Sequence, residues 1–193
     1  MKARLASGNR HKLEELRRAL PGWEIELVSP AAGDEAGPEE TGATFLENAR
    51  IKARFARARA PEAEWALGED SGIEVAALGG RPGVHSARWA SDGVARLLTE
   101  LGGRADRRAR YVCRLVAISP AGDEASAHGT LEGTIAAAPL GDEGFGYDPI
   151  FVPDGETLTV AQLGNGWKRT HSHRARAAAA LARSLGPSSG ADG

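Results

Sequence analysis

Four short segments set polar side chains beside glycine, and each suits a different piece of chemistry. Ser7-Gly8-Asn9-Arg10-His11-Lys12 follows an apolar stretch and opens a helical pattern. A strand, a small turn and a helix N-terminus offer an anion free backbone N–H groups, the positive dipole end and Lys12 as a point charge. The glycine pair and Lys-Ser/Thr ending of a Walker loop are absent, and on these residues alone a plain strand-to-helix turn remains the alternative. Glu39-Glu40-Thr41 and Glu69-Asp70-Ser71 bunch acids around what read as turns. Such hard oxygen donors suit Mg²⁺, which takes a few carboxylates together with substrate phosphates; a pair of solvated acidic loops is the alternative. Asp70 precedes the small residues Ser71 and Gly72 and then an apolar strand, a setting that a surface carboxylate does not need. Phe145-Gly146-Tyr147-Asp148-Pro149 puts two aromatics on one loop in a chain that is only 5% aromatic. They can grip a flat ring by stacking, or plug the core. Lys168 with Ser172-His173-Arg174 gathers donor-rich side chains near a helix start, either for a ligand or as a cap with exposed basic residues.

Other residues offer less. His171 and His173 are two apart, whereas a helical zinc pair needs i, i+4 spacing. Cys113 lies in an apolar run and reads as core. The basic run Arg104–Arg110 reads as a solvated turn before a strand, because no aromatic is interleaved before Tyr111.

The elements that must position these groups follow from periodicity. Residues 2–6 read as a strand, and Leu13, Leu16 and Leu20 give a helix with Lys12, Glu14, Glu15, Arg17 and Arg18 mostly on its wet side, stopped by Pro21-Gly22. Residues 24–28 alternate as a second strand, and 29–42 read as a loop. Thr44-x-x-Glu47 spells a capping box for a helix through Phe45, Leu46, Ala49, Ala53 and Ala56, stopped by Pro61. Trp65–Leu67 and Ile73–Ala77 read as two short strands around the polar turn Glu69–Gly72, followed by a tight loop at Gly79–Gly83. Asp92–Leu101 reads as a helix, 109–118 as a central strand, 126–137 as its antiparallel partner, and Ser172 as the cap of a last helix ending at Leu185-Gly186-Pro187. Early alternation of strands and helices, then clustered strands, predicts an α/β fold with a mixed sheet.

Composition bounds the rest. The chain has 193 residues, 41% apolar and 26% charged, which excludes disorder as the dominant state. A net charge of −2 argues against a protein that coats nucleic acid. No apolar run approaches a membrane span, the N-terminus reaches a turn too soon for a signal peptide, and one cysteine allows no internal disulfide. A cytoplasmic protein is expected.

Six motifs occur in order: Ser7-Gly8-Asn9-x-x-Lys12, Glu40-Thr41-Gly42-x-Thr44-Phe45-x-Glu47-Asn48-Ala49, Glu69-Asp70-Ser71-Gly72, Gly79-Gly80-x-Pro82-Gly83-Val84-x-Ser86-Ala87-Arg88, Gly144-Phe145-Gly146-Tyr147-Asp148-Pro149, and Lys168 followed by Ser172-His173-Arg174. Together they resemble the inosine triphosphate pyrophosphatase (Ham1/RdgB-type) family from about residue 3 to residue 185. Ser7 stands where Thr is common, Glu69 where many members have Asp, and Gln162, Gly166 and Trp167 where acids often precede the lysine. The resemblance implies a two-lobed mixed β-sheet with flanking helices and a deep substrate cleft, in a single domain over 1–187, and a homodimer; residues 188–193 read as a disordered tail. It implies Mg²⁺-dependent hydrolysis of ITP, dITP and XTP to the monophosphate and pyrophosphate. Carried over by position, the phosphate loop falls on Ser7, Gly8, Asn9, Arg10, His11 and Lys12. The catalytic, metal-associated acid falls on Asp70, with Ser71 on the substrate and a second metal acid on Glu40 or Glu69. The base-binding residues fall on Phe145, Gly146, Tyr147, Asp148, Lys168, His173 and Arg174. The rival readings are a Maf-like pyrophosphatase for other modified nucleotides and a nucleotide sensor without turnover.

Overall fold

A short apolar strand, β1 (Lys2–Ala6), starts the chain and ends where Ser7-Gly8 cannot continue it. The structure is a computed structural model that describes residues 1–28 and 37–186; residues 29–36 of the expected 29–42 loop and the expected tail at 188–193 lie outside the described residues. α1 (Arg10–Ala19) buries Leu13 and Leu16, and its N-cap Asn9 accepts from His11 N and Lys12 N. β2 (Glu24–Leu27) follows, and then α2 (Phe45–Arg57), which opens on the capping box that Thr44 and Glu47 spell. The remaining elements are β3 (Trp65–Val75), α3 (Gly93–Glu100), β4 (Arg108–Ile118), β5 (Glu124–Ile135), β6 (Phe151–Pro153), α4 (Val160–His171) and α5 (His173–Leu185).

The strands form one mixed six-stranded sheet in the order β2-β1-β3-β4-β5-β6. β1 runs parallel to β2 and β3, and the pairs β3–β4, β4–β5 and β5–β6 are antiparallel. α1 and α5 cover one face, where Leu13, Leu16, Leu67, Cys113, Leu115 and Leu181 share a cluster. α2 covers the other, where Ala49 and Ala53 meet Ala66 and Val116. A third cluster at the far end of β3–β5 joins Ile73, Leu97, Tyr111, Tyr147, Ile150 and Phe151. No helix among the described residues is long and apolar enough to cross a membrane.

One expectation fails in a way that matters for the site. Residues 65–75 are a single eleven-residue strand, not two strands around a polar turn. Glu69-Asp70-Ser71-Gly72 is therefore mid-strand, and its glycines mark close approach instead of a bend. A Cβ on Gly68 would lie 2.1 Å from the Ala49 carbonyl oxygen and 2.3 Å from Ala53 N, and one on Gly72 would lie 2.4 Å from Ser86 Oγ. α4 and β6 were not legible as elements. Gly164, at φ 81°, kinks α4 and interrupts its pattern, although Thr159 and Gln162 form a second capping box.

Candidate active site

Successive side chains of β3 point to opposite faces, so neighbouring acids of one motif serve two different clusters. Glu69 and Ser71 face α1 and α5, whereas Asp70 faces α2. On the first side a cavity of about 570 Å³ is lined by Asn9, His11, Lys12, Ser71, Tyr111, Phe145–Asp148, Lys168, His173 and Arg174, together with residues 86–94 in part. That volume suits a drug-sized or nucleotide-sized ligand. Ser7, Gly8 and Arg10 lie outside this lining, and Arg10 is exposed. Ser7 Oγ instead accepts from Asn9 N at 3.1 Å and shapes the turn.

The cavity's cations are held by buried acids. Lys12 Nζ lies 2.9 Å from Glu69 Oε2. Arg174, 1% exposed, donates through Nε and Nη2 to Glu69 Oε1 at 3.2 and 3.0 Å, to Ser71 Oγ at 2.8 Å, and to Glu15. Lys168 Nζ lies 2.5 Å from Glu15 Oε1 and 2.7 Å from Asp148 Oδ2. Burial pushes Glu69 up, but the charges of Arg174, Lys12 and Lys52 override it and hold the carboxyl well below the usual range. Asp148 also accepts from Phe145 N at 2.8 Å and from Tyr111 Oη at 3.1 Å. Its carboxylate therefore locks the 144–148 loop. Phe145 stacks on His11 with centroids 5.2 Å apart, and Lys168 Nζ sits 4.6 Å from the Phe145 ring centre. Tyr147 Oη donates to the Ser86 carbonyl at 3.1 Å. His173 stacks on Tyr111 at 4.6 Å, and its buried Nδ1 has no hydrogen-bond partner. Burial, then the Arg174 charge, keeps this imidazole neutral, well below its ordinary value of 6.5.

On the second side Lys52 rises from the buried stripe of α2. Its ammonium lies 2.5 Å from Glu40 Oε1, 2.8 Å from Asp70 Oδ1 and 3.1 Å from the Glu69 carbonyl oxygen. Arg88 takes Glu40 Oε2 at 2.7 Å, and Asn48 Nδ2 donates to Asp70 Oδ2 at 3.3 Å. Burial is the largest influence on both carboxyls and raises both. Lys52 and Arg88 outweigh it at Glu40, which ends below its ordinary value, but at Asp70 it prevails over Lys52. The two carboxyls are thus moved in opposite directions from their ordinary values.

The sequence profile of the Ham1 family matches residues 3–184. The chain belongs to the Ham1 family. It is 43% identical over 192 residues to a dITP/XTP pyrophosphatase of Bdellovibrio bacteriovorus, covering 94% of this chain and 96% of that one. It is 46% identical over 178 residues to one of Gloeobacter violaceus, covering 90% and 88%. The Ham1 protein of Staphylococcus aureus superposes with a TM-score of 0.82 at 37% identity, over 96% of this chain and 98% of that one. A HAM1 protein from Coxiella burnetii gives 0.81 at 36%, with the same coverage.

Within this Ham1 chain the acids expected around a metal divide. Glu40 and Asp70 converge on one cation, the Lys52 ammonium, and the main-chain oxygen of Glu69 joins them. The Glu69 carboxylate is turned to the opposite face and held by Lys12 and Arg174. Two carboxylates and a carbonyl, with a cation already seated between them, are a donor set that fits Mg²⁺, which prefers one or two carboxylates and completes its shell with phosphates and water. Among the described residues no group of three or more His, Cys, Asp or Glu forms a cage.

Two residues of this site escaped the sequence reading. The periodicity of α1 puts Glu15 on its wet side, but the side chain is 10% exposed and bridges Lys168 and Arg174. Nothing local in α1 marks it, because its partners come from α4 and α5. Lys52 left a signal: it falls on the same helical stripe as Asn48, Ala49, Ala53 and Ala56, where a lysine is out of place unless paired.

Proposed function

We propose that this chain is a nucleoside triphosphate pyrophosphatase that hydrolyses deaminated purine nucleotides, ITP, dITP and XTP, to the monophosphate and pyrophosphate. The observation that carries the reading is the placement of an aromatic, donor-lined cavity and a carboxylate pair on the two sides of one strand, at Ser71 and Asp70. The names of the Bdellovibrio and Gloeobacter relatives support it. The base enters the slot at Phe145, with Tyr147 and His173 in its walls. Lys168 and Arg174 are donors only, so they donate to a 6-keto oxygen and oppose the amino group of adenine. Both cations are held by buried acids, Arg174 by Glu15 and Glu69 and Lys168 by Glu15 and Asp148, and Lys168, at 4.6 Å from the Phe145 ring centre against 5.8 Å for Arg174, is the leading reader of that position. Lys12 and the start of α1 hold the phosphate tail.

Glu40 and Asp70 would hold Mg²⁺, which when bound neutralises phosphate charge and stabilises the departing pyrophosphate. Asp70 orients the attacking water at the α-phosphorus and takes its proton. We place the enzyme in the cytoplasm, after its composition, and as a homodimer, after the family resemblance. The deciding experiment incubates the purified protein with Mg²⁺ and a panel of nucleoside triphosphates and identifies products. ITP, dITP and XTP should outrun ATP and GTP and release IMP, or its counterpart, with pyrophosphate. IDP and orthophosphate as first products would make the enzyme a γ-phosphatase and end this reading.

A further inference from the structure

Lys52 spends its whole donor capacity at one place. An ammonium has three N–H groups, and three oxygens surround this one: Glu40 Oε1, Asp70 Oδ1 and the Glu69 carbonyl oxygen. Its side chain is 9% exposed, so bulk water does not screen these contacts. The second oxygen of each carboxylate is taken by a group on the flank, Arg88 for Glu40 and Asn48 for Asp70. The two acids thus reach toward each other at a single point, and Lys52 occupies it. Burial favours the neutral amine, but Asp70, Glu69 and Glu40 outweigh it, and the group stays an ammonium.

Two carboxylates brought this close repel each other unless a cation lies between them. A dication entering there needs the same oxygens that Lys52 uses and carries the same sign of charge as Lys52. The two cannot occupy the point together. Resting on the functional reading above, we propose that Lys52 is a displaceable placeholder at the divalent-cation site. It holds Glu40 and Asp70 in register while no metal is present, competes with free divalent ions, and gives way when the metal arrives with the negative charge of a nucleoside triphosphate. The enzyme then binds its metal as the metal–nucleotide complex, and the free protein takes up little of it. Lys52 is a positioning residue in this scheme, acting through Glu40 and Asp70.

The test uses Mn²⁺ as the probe on nucleotide-free protein, with binding read by electron paramagnetic resonance or calorimetry. Lys52→Met removes the competitor and should bind Mn²⁺ at least about tenfold tighter than wild type, while ITP turnover falls. Glu40→Gln added to Lys52→Met should abolish the gain. A strut with no placeholder role would lose thermal stability without gaining Mn²⁺ affinity, so equal or weaker binding by Lys52→Met overturns the proposal. If that variant does not fold, the wild type still decides. Its Lys52 ammonium signal in ¹⁵N NMR should persist in millimolar Mg²⁺ alone and shift on adding a non-hydrolysable inosine triphosphate. A signal unmoved by the Mg²⁺–nucleotide complex overturns the proposal as well. Wild-type turnover of ITP without a Mn²⁺ gain in the variant removes the placeholder alone; absence of turnover removes the pyrophosphatase reading, and the Mn²⁺ comparison still reports on Lys52.

Discussion

His173 carries the clearest consequence of burial at the residue scale. It is 6% exposed, lies flat on Tyr111, and has no partner for Nδ1. Burial first, then the charges of Arg174 and Lys168, depress its pKa well below 6.5. The unfolded chain therefore takes a proton at His173 that the folded chain refuses, and stability declines as pH drops below 6.5 toward the folded value. Glu69 works in the same direction lower down. Its depressed pKa contributes stability that is fully present above 4.5 and is lost as pH falls below that value. Thermal unfolding followed from about pH 7 to about pH 5 isolates the histidine. The midpoint should fall in wild type, and fall less in His173→Phe, which keeps the stacked ring and removes the titration. Equal slopes would clear His173 of the effect. The sequence points to His173 from its position beside Ser172 and Arg174, and the structure puts it in the lining of the cavity. The sequence reading misses Glu15 and Lys52 because a buried charge is recognised by its partner, and those partners come from other elements.

At the scale of elements the site depends on how closely α2 lies against β3. Gly68 permits that contact, since a Cβ there would meet the Ala49 carbonyl oxygen at 2.1 Å and Ala53 Cα at 2.9 Å. Both obstacles are backbone, so the helix as a whole must shift. Gly68→Ala should cost about 1–3 kcal/mol, as overpacking does, and should pull Asn48 and Lys52 away from Asp70. We expect kcat for ITP to fall further than the loss of folded protein explains, with denaturant titration and steady-state kinetics on the same sample as the check. An unchanged kcat would mean that the α2–β3 spacing does not set the geometry of Asp70. The same glycines explain the misreading of β3. Gly68 and Gly72 around a run of polar residues read as a turn when the chain is taken alone, and they become strand residues only when α2 and Ser86 press on them. By contrast α1, α2, α3 and α5 were legible because Asn9, Thr44, Asp92 and Ser172 cap them through local hydrogen bonds. α4 had a cap too, at Thr159, but Gly164 and Gly166 hid the pattern behind it.

Over the whole molecule the functional charges cancel before any ligand arrives. Glu15, Glu40, Glu69, Asp70 and Asp148 are each paired with one or more of Lys12, Lys52, Arg88, Lys168 and Arg174. With a net charge of −2 overall, the protein presents no strong field to draw in a polyanion. Recognition rests on contacts made after arrival, which suits a pocket that must choose among nucleotides of equal charge. The sheet that carries this network also carries a timer. Cys113, the chain's only cysteine, sits at the middle of β4 opposite Ser71 and Gly129, fully buried. Burial, followed by the neighbouring charge of Glu69, pushes its thiol well above the ordinary range, so almost no thiolate exists to react. Modification by a soluble thiol reagent must wait until α1 or α5 lifts from the face of the sheet they cover. Its rate then counts openings of that helical layer, one chemical event per molecule, and should climb with denaturant in step with the loss of circular dichroism. Labelling as fast as that of a free cysteine in the absence of denaturant would reveal a helical layer that opens on its own, beside the buried acids that hold the cavity's cations.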